Sequence, residues 1–191
     1  HIVHLSSFLL LKEPARSTAL RIAQKAARSG QMVSFDPNIR FSLWASRGEA
    51  RRCILEMVRL SSVLRLNDAE ARFLTGSSTV PGAARKLLGL GPLLVVITAG
   101  RRGCHAFNGR VSVSTAGFPV RTVDTTGCGD GFLAALLFGI LKSETRIGDL
   151  TAPALESICR FANAAGALTS ATFGVITALP TLSQVGTFLK S

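Results

Sequence analysis

Leu93-Leu-Val-Val-Ile-Thr98, followed by Ala99-Gly100, is the most hydrophobic run of this 191-residue chain, and the architecture follows from what flanks it. A short, unbroken apolar run rich in β-branched residues and stopped by glycine reads as a strand inside a parallel sheet. Upstream, the same kind of run recurs between helical patterns. Ile2 to Phe8 is a first strand, Met32 to Phe35 a second ending at Asp36-Pro37-Asn38, and Val63 to Leu66 a third. Between them Ala19, Leu20, Ile22, Ala23, Ala26 and Ala27 recur at helical spacing within Ala15 to Ser29, a helix stopped by Gly30. Gly48 to Leu60 and Asp68 to Leu74 read as two more helices. Downstream the rhythm changes: Cys104 to Phe107 and Val111 to Ser114 flank Asn108-Gly109, a two-residue hairpin signal. Phe132 to Leu141, Leu155 to Ala171 and Leu182 to Leu189 close the chain as helices. The expected fold is α/β: a doubly wound, mostly parallel sheet with helices on both faces and a β-hairpin, in a single domain over residues 1–191.

Composition narrows the function classes. A hydrophobic content of 47% with 17% charged residues is that of a globular protein, and no apolar run reaches the length of a membrane span. A soluble, cytoplasmic protein is the expectation. The formal charge of +11 raises nucleic acid as a partner, but Arg47, Arg51, Arg52, Arg59 and Arg65 are dispersed and no aromatic ladder accompanies them. A solvated basic face that favours anionic substrates is the better account, so no nucleic acid and no membrane are expected as partners. Cys53, Cys104, Cys128 and Cys159 lack metal or redox spacing and read as reduced, buried thiols. His1, His4 and His105 show no ligand spacing either, and Trp44 reads as packing.

Chemistry is concentrated in Asp124-Thr-Thr-Gly-Cys-Gly-Asp130, which runs directly into the apolar stretch Gly131 to Leu141. Two glycines at a loop-to-helix junction let backbone N–H groups approach an anion. A carboxylate beside a bound phosphate can take the proton of an attacking hydroxyl. Asp130 is thus the candidate base of a phosphoryl transfer, with Gly127, Cys128 and Gly129 supplying amides. A capped turn would use the same residue types.

With its neighbours in the same order, this segment resembles the second signature of the ribokinase-like (PfkB-type) sugar kinases, D-T-x-G-A-G-D. Cys128 stands at the alanine position and Gly131 follows the aspartate where a small residue is usual. The resemblance extends to Asp36-Pro-Asn-Ile-Arg40, similar to a D-P-N-x-R element near the sugar, which implies Asp36, Asn38 and Arg40 as site-lining residues, with Asp130 facing the same substrate. A proline turn capped by Asp and Asn is the alternative for that element. Asn67-Asp-Ala-Glu70 is similar to the family's N-x-x-E, which implies that Asn67 and Glu70 organise Mg2+ and the nucleotide phosphates; Asn67 reads equally as a helix N-cap. Thr98, Gly100 and Gly103 match T-x-G-x-x-G near the ATP phosphates, and Asn163 matches a position bordering adenine, with Gly174 at the turn beyond it. Asp124 and Thr126 would contribute to a K+ site of the kind many such kinases hold.

What the resemblance implies is a ribokinase-like fold and transfer of the ATP γ-phosphoryl group to a sugar, with Mg2+. Its fructokinase branch is nearest, and 2-keto-3-deoxygluconate kinases or ribokinase-type relatives are the alternatives. Complete members carry an N-terminal part with most sugar contacts and a small β-sheet lid. The chain corresponds to the C-terminal two-thirds, so a truncated module that binds nucleotide without catalysis is the reading from another class. The sheet edge left open there invites association, and a homodimer is an expectation.

Overall fold

Branched and aromatic residues place four strands side by side: β1 (Ile2–Ser6), β2 (Met32–Asp36), β3 (Val63–Asn67) and β4 (Leu94–Thr98). They pair in parallel, with Val3 opposite Val33, Phe35 opposite Leu64, and Leu66 opposite Ile97. With β5 (Cys104–Phe107) and β6 (Ser112–Thr115) they make a six-stranded sheet whose order follows the chain. These features come from a computed structural model that describes residues 1–190. The described residues form two compact units, His1–Thr98 with Phe107–Gly109, and Ala99–Ala106 with the chain from Arg110 onward.

In the first unit, α1 (Ala15–Arg28), α2 (Arg47–Val58), α3 (Asp68–Thr75) and α4 (Val80–Leu88) connect the strands. Ala19, Ala23 and Ala26 fall on one helical face and join a buried cluster with Val33, Phe35, Leu64, Leu66, Val95 and Ile97. Trp44, Ile54, Met57, Leu74 and Leu87 complete that cluster. Strand residues alternate in direction, so Ser34, Asp36, Arg65 and Thr98 point to the opposite side of the sheet from those apolar partners. Val33 to Asp36 and Leu94 to Thr98 are buried without a break, which shows that both faces of β2 and β4 are covered.

Local chemistry sets the boundaries. Ser46 Oγ accepts from Glu49 N at 3.0 Å to open α2, and Gly76, at φ +67°, ends α3. Two elements of this unit differ from expectation. The first strand ends at Ser6 because Ser7–Leu10 turns as a short 3-10 helix that buries Leu10. Helix α4 adds to the expected elements: Val80, Ala83, Ala84, Leu87 and Leu88 recur at helical spacing, and the Thr79 cap and early Pro81 are start signals.

The second unit holds β6, most of β5, α5 (Cys128–Lys142), α6 (Ala152–Ser170) and α7 (Leu182–Phe188). Its core is the seam between α5 and α6, lined by Leu136, Ile140, Leu155, Cys159 and Ala162, all buried. At Gly131 an added Cβ would stand 2.6 Å from Thr169 Oγ1, and at Gly139 it would stand 3.0 Å from Ile158 Cγ2, so glycine sets how closely these helices approach. Helix α5 starts at Cys128, four residues before the apolar pattern, because the glycine-rich loop supplies its first turn. Cys53, Cys104 and Cys159 are buried as expected, whereas Cys128 is half-buried. Among the described residues, no helix is long and apolar enough to cross a membrane.

Candidate functional site

The polar residues of the first unit gather at the carboxyl ends of β2, β3 and β4, where open parallel sheets place ligands. Asn67 and Glu70 form a reciprocal capping box at the start of α3. Asn67 Oδ1 accepts from Glu70 N, and Glu70 Oε2 accepts from Asn67 N, each at 2.9 Å. Glu70 Oε1 also accepts from Ile39 N at 2.7 Å, which ties the turn after β2 to α3. Burial raises the Glu70 pKa above its usual value, and the N–H groups of Asn67 and Ile39 pull it back only in part.

Asp36 is also inside, at 4% exposure. Its Oδ1 accepts from Asn38 N at 3.1 Å and its Oδ2 from Arg65 Nη1 at 2.8 Å. Asn38 and Arg40, by contrast, are exposed, and Asn38 takes φ +41°, a left-handed geometry that asparagine tolerates better than most residues. A hollow of about 400 Å³ is lined by Ser6, Phe8, Asn38, Arg40, Ser42 and Leu43. A second, of about 620 Å³, brings Arg40, Arg47 and Arg72 around Asn67 and Glu70. On its wall the Arg47 guanidinium lies 4.2 Å above the Phe41 ring, which meets Phe73 edge-on at 4.8 Å. The hollow is therefore lined by three guanidinium groups, the carboxylates of Asp68 and Glu70, and two aromatic rings. Thr98 closes β4, buried at 8% exposure, with Oγ1 accepting from Arg65 Nη2 at 2.9 Å.

The second unit offers a different kind of site. Asp124 Oδ1 accepts from the Thr126 N–H at 2.9 Å and the Thr126 hydroxyl at 2.7 Å, and Oδ2 from Gly174 N at 3.4 Å. The Thr126 bonds hold its carboxyl below the ordinary pKa, so it stays ionised. Gly127 caps α5 at φ +77°, with Val175 Cγ1 only 3.0 Å from where a Cβ would stand. Cys128 N donates back to Thr125 O at 3.3 Å, while Gly129 and Asp130 lie in the first turn, where amides have no acceptor within the helix. Asp130 is exposed.

Gly100 and Gly103 shape the turn before β5, at φ +57° and +94°. A Cβ on Gly103 would run into the Thr115 carbonyl, so that turn and the end of β6 touch backbone to backbone. Asn163 is buried, and its Nδ2 donates to Thr115 O and Ala116 O, both at 3.1 Å. Its amide braces that segment. Within the first unit the structure thus brings Asp36, Asn38, Arg40, Asn67, Glu70 and Thr98 to the carboxyl ends of the strands, with Asp36, Glu70 and Thr98 buried and Asn38 and Arg40 exposed; within the second, Asp124, Thr126, Gly127, Cys128, Gly129 and Asp130 follow one another from the loop into the first turn of α5. Sequence reasoning passed over Arg65, whose signal was a lone charge inside the apolar run Val63 to Leu66.

Comparison with known proteins gives this geometry a setting. A family model described as pfkB family carbohydrate kinase matches residues 1–182. Fructokinase-2 of Solanum habrochaites is 36% identical over 190 residues, 99% of this chain and 57% of that relative. The chain therefore spans little more than half the length of that curated relative. Among solved structures, aminoimidazole riboside kinase from Salmonella enterica, complexed with aminoimidazole riboside and an ATP analog, has a TM-score of 0.87 at 31% identity. The match covers all of this chain and 63% of that one. Fructokinase from Vibrio cholerae, bound to fructose, ADP and calcium, has a TM-score of 0.90 at 28% identity over 98% of this chain and 60% of its own.

Proposed function

Because this chain belongs to the pfkB family of carbohydrate kinases, we propose that it carries the nucleotide-binding and catalytic portion of an ATP-dependent sugar kinase acting on fructose. Residues 1–191 are read as that portion of one ribokinase-like domain. The observation that carries the proposal is Asp130: an exposed carboxylate in the first turn of α5, three residues after Gly127, which caps the helix at φ +77°. In this reading Asp130 accepts the proton of the sugar hydroxyl. The amides of Gly129 and Asp130 face the negative charge on the transferring phosphoryl group, and Gly127 keeps the approach open.

In the first unit, Asn38 and Arg40 are the exposed groups suited to sugar or phosphate, and Asp36 supports them from inside. Thr98, Gly100 and Gly103 shape backbone for the nucleotide, and Asn163 acts through the segment it braces. Magnesium, when bound, neutralises charge on the nucleotide oxygens. Each Glu70 oxygen already accepts a backbone N–H, so Asn67 and Glu70 fit that ion through its retained water shell. Asp124, held ionised, fits a monovalent cation with Thr126.

Fructose as the sugar is supported by the fructokinase relatives, while the riboside kinase match keeps a ribose-type substrate as the alternative. Asp130→Asn tests the assignment: turnover of fructose with ATP and Mg2+ should fall by about 10²- to 10⁴-fold, with calorimetric ATP affinity unchanged. Near-normal turnover after that change overturns it. Wild-type ATP binding without turnover on any sugar would replace the kinase with a nucleotide-binding module.

A further inference from the structure

Arg65 joins three strands through one side chain. It rises from the middle of β3, and Nη1 donates to Asp36 Oδ2 at the end of β2 at 2.8 Å. Nη2 donates to Thr98 Oγ1 at the end of β4 at 2.9 Å, and that hydroxyl passes its own hydrogen to Leu66 O at 3.4 Å. The side chains of Arg65 and Asp36 are only 14% and 5% exposed. Taking two charges out of water is costly, and apolar side chains of similar volume commonly serve stability as well or better. What apolar side chains cannot supply is direction.

Direction matters at this place because of what Asp36 does with its other oxygen. Oδ1 receives the Asn38 N–H and so holds the turn in which Asn38 has φ +41°. Ile39 N is held one residue later by Glu70. The turn that results leaves Asn38 and Arg40 exposed on the hollow they share with Ser6 and Phe8.

We propose that Arg65 is a positioning residue for the sugar: through Asp36 and Thr98 it sets the turn that presents Asn38 and Arg40. The inference rests on the sugar-kinase reading above. It assigns no contact between Arg65 and substrate. A guanidinium has a flat, two-armed donor face that meets both partners at once, whereas a lysine ammonium is a single point on a flexible stem. The pairing therefore calls for arginine and not merely for a positive charge.

The test is Arg65→Lys in the full chain, which keeps charge opposite Asp36 and removes the second arm. The expected result is a folded protein in which the amides of Asn38 and Ile39 exchange hydrogen about tenfold faster, while those of β3 do not. KM for fructose should rise about tenfold, with kcat and KM for ATP changed less than about twofold. Exchange and fructose KM both within about twofold of wild type, with only the melting temperature lowered, would make Arg65 merely structural and overturn the proposal. Should Arg65→Lys not fold, the wild type decides: protection of Asn38 N–H comparable to β2 supports the clamp, and exchange at the rate of a free peptide overturns it. A wild-type chain that phosphorylates no sugar sinks the kinase reading, and the exchange readout then judges the clamp by itself.

Discussion

The two units hold their carboxylates in opposite ways. In the first, Asp36 and Glu70 are buried at 4% and 7% exposure, and each has one oxygen held locally, by Asn38 N and Asn67 N, and the other held from a separate element, by Arg65 and Ile39 N. In the second, Asp130 is exposed, and Asp124 is held by Thr126 two residues away and by Gly174. A carboxylate locked among backbone donors positions other groups; one left at a helix mouth can itself take a proton. The first kind should reveal itself through stability and the second through turnover.

The largest effect is expected at Arg65. Arg65→Met leaves Asp36 charged, buried and without its salt bridge, and should cost about 3–5 kcal/mol in denaturant unfolding. In contrast, Asp130→Asn should change unfolding free energy by less than about 0.5 kcal/mol while removing turnover, because its side chain is exposed. A large stability loss at Asp130 would erase the distinction between the units. Asn67→Ala comes next, at about 1 kcal/mol, since it takes the cap acceptor from Glu70 N.

Glu70 sharpens the comparison through pH. Its folded pKa lies above 4.5, so between 4.5 and that higher value the folded chain binds more protons than the unfolded chain. Its contribution is full below 4.5 and is lost as pH rises through the folded pKa. Asp124, whose pKa is depressed by Thr126, contributes in the opposite sense, and its share is lost as pH falls. Measured by melting curves, the stability of wild type relative to Glu70→Gln should therefore fall as pH rises above 4.5, by at most about 1.4 kcal/mol per pH unit. Parallel curves would mean that Glu70 does not titrate there. The smallest effect is expected at the exposed pair Arg110–Asp149, 2.7 Å apart, where Asp149→Ala should cost less than about 0.5 kcal/mol and vanish in salt.

The sequence by itself determined the strand and helix alternation, the hairpin after Thr98 and the glycine loop before α5. Each is a local matter of hydrophobic period, turn chemistry and backbone freedom. It also marked Asp36, Asn67 and Glu70 as polar residues just after apolar runs, and Asp130 as a carboxylate just before one. Tertiary structure alone decided which of these face inward. Asp36 meets Arg65 across 29 positions of sequence, and Asn163 meets Thr115 across 48, pairings that only the packing of separate elements creates. Whether a carboxylate positions or reacts depends on which donors surround it, and long-range packing chooses those donors.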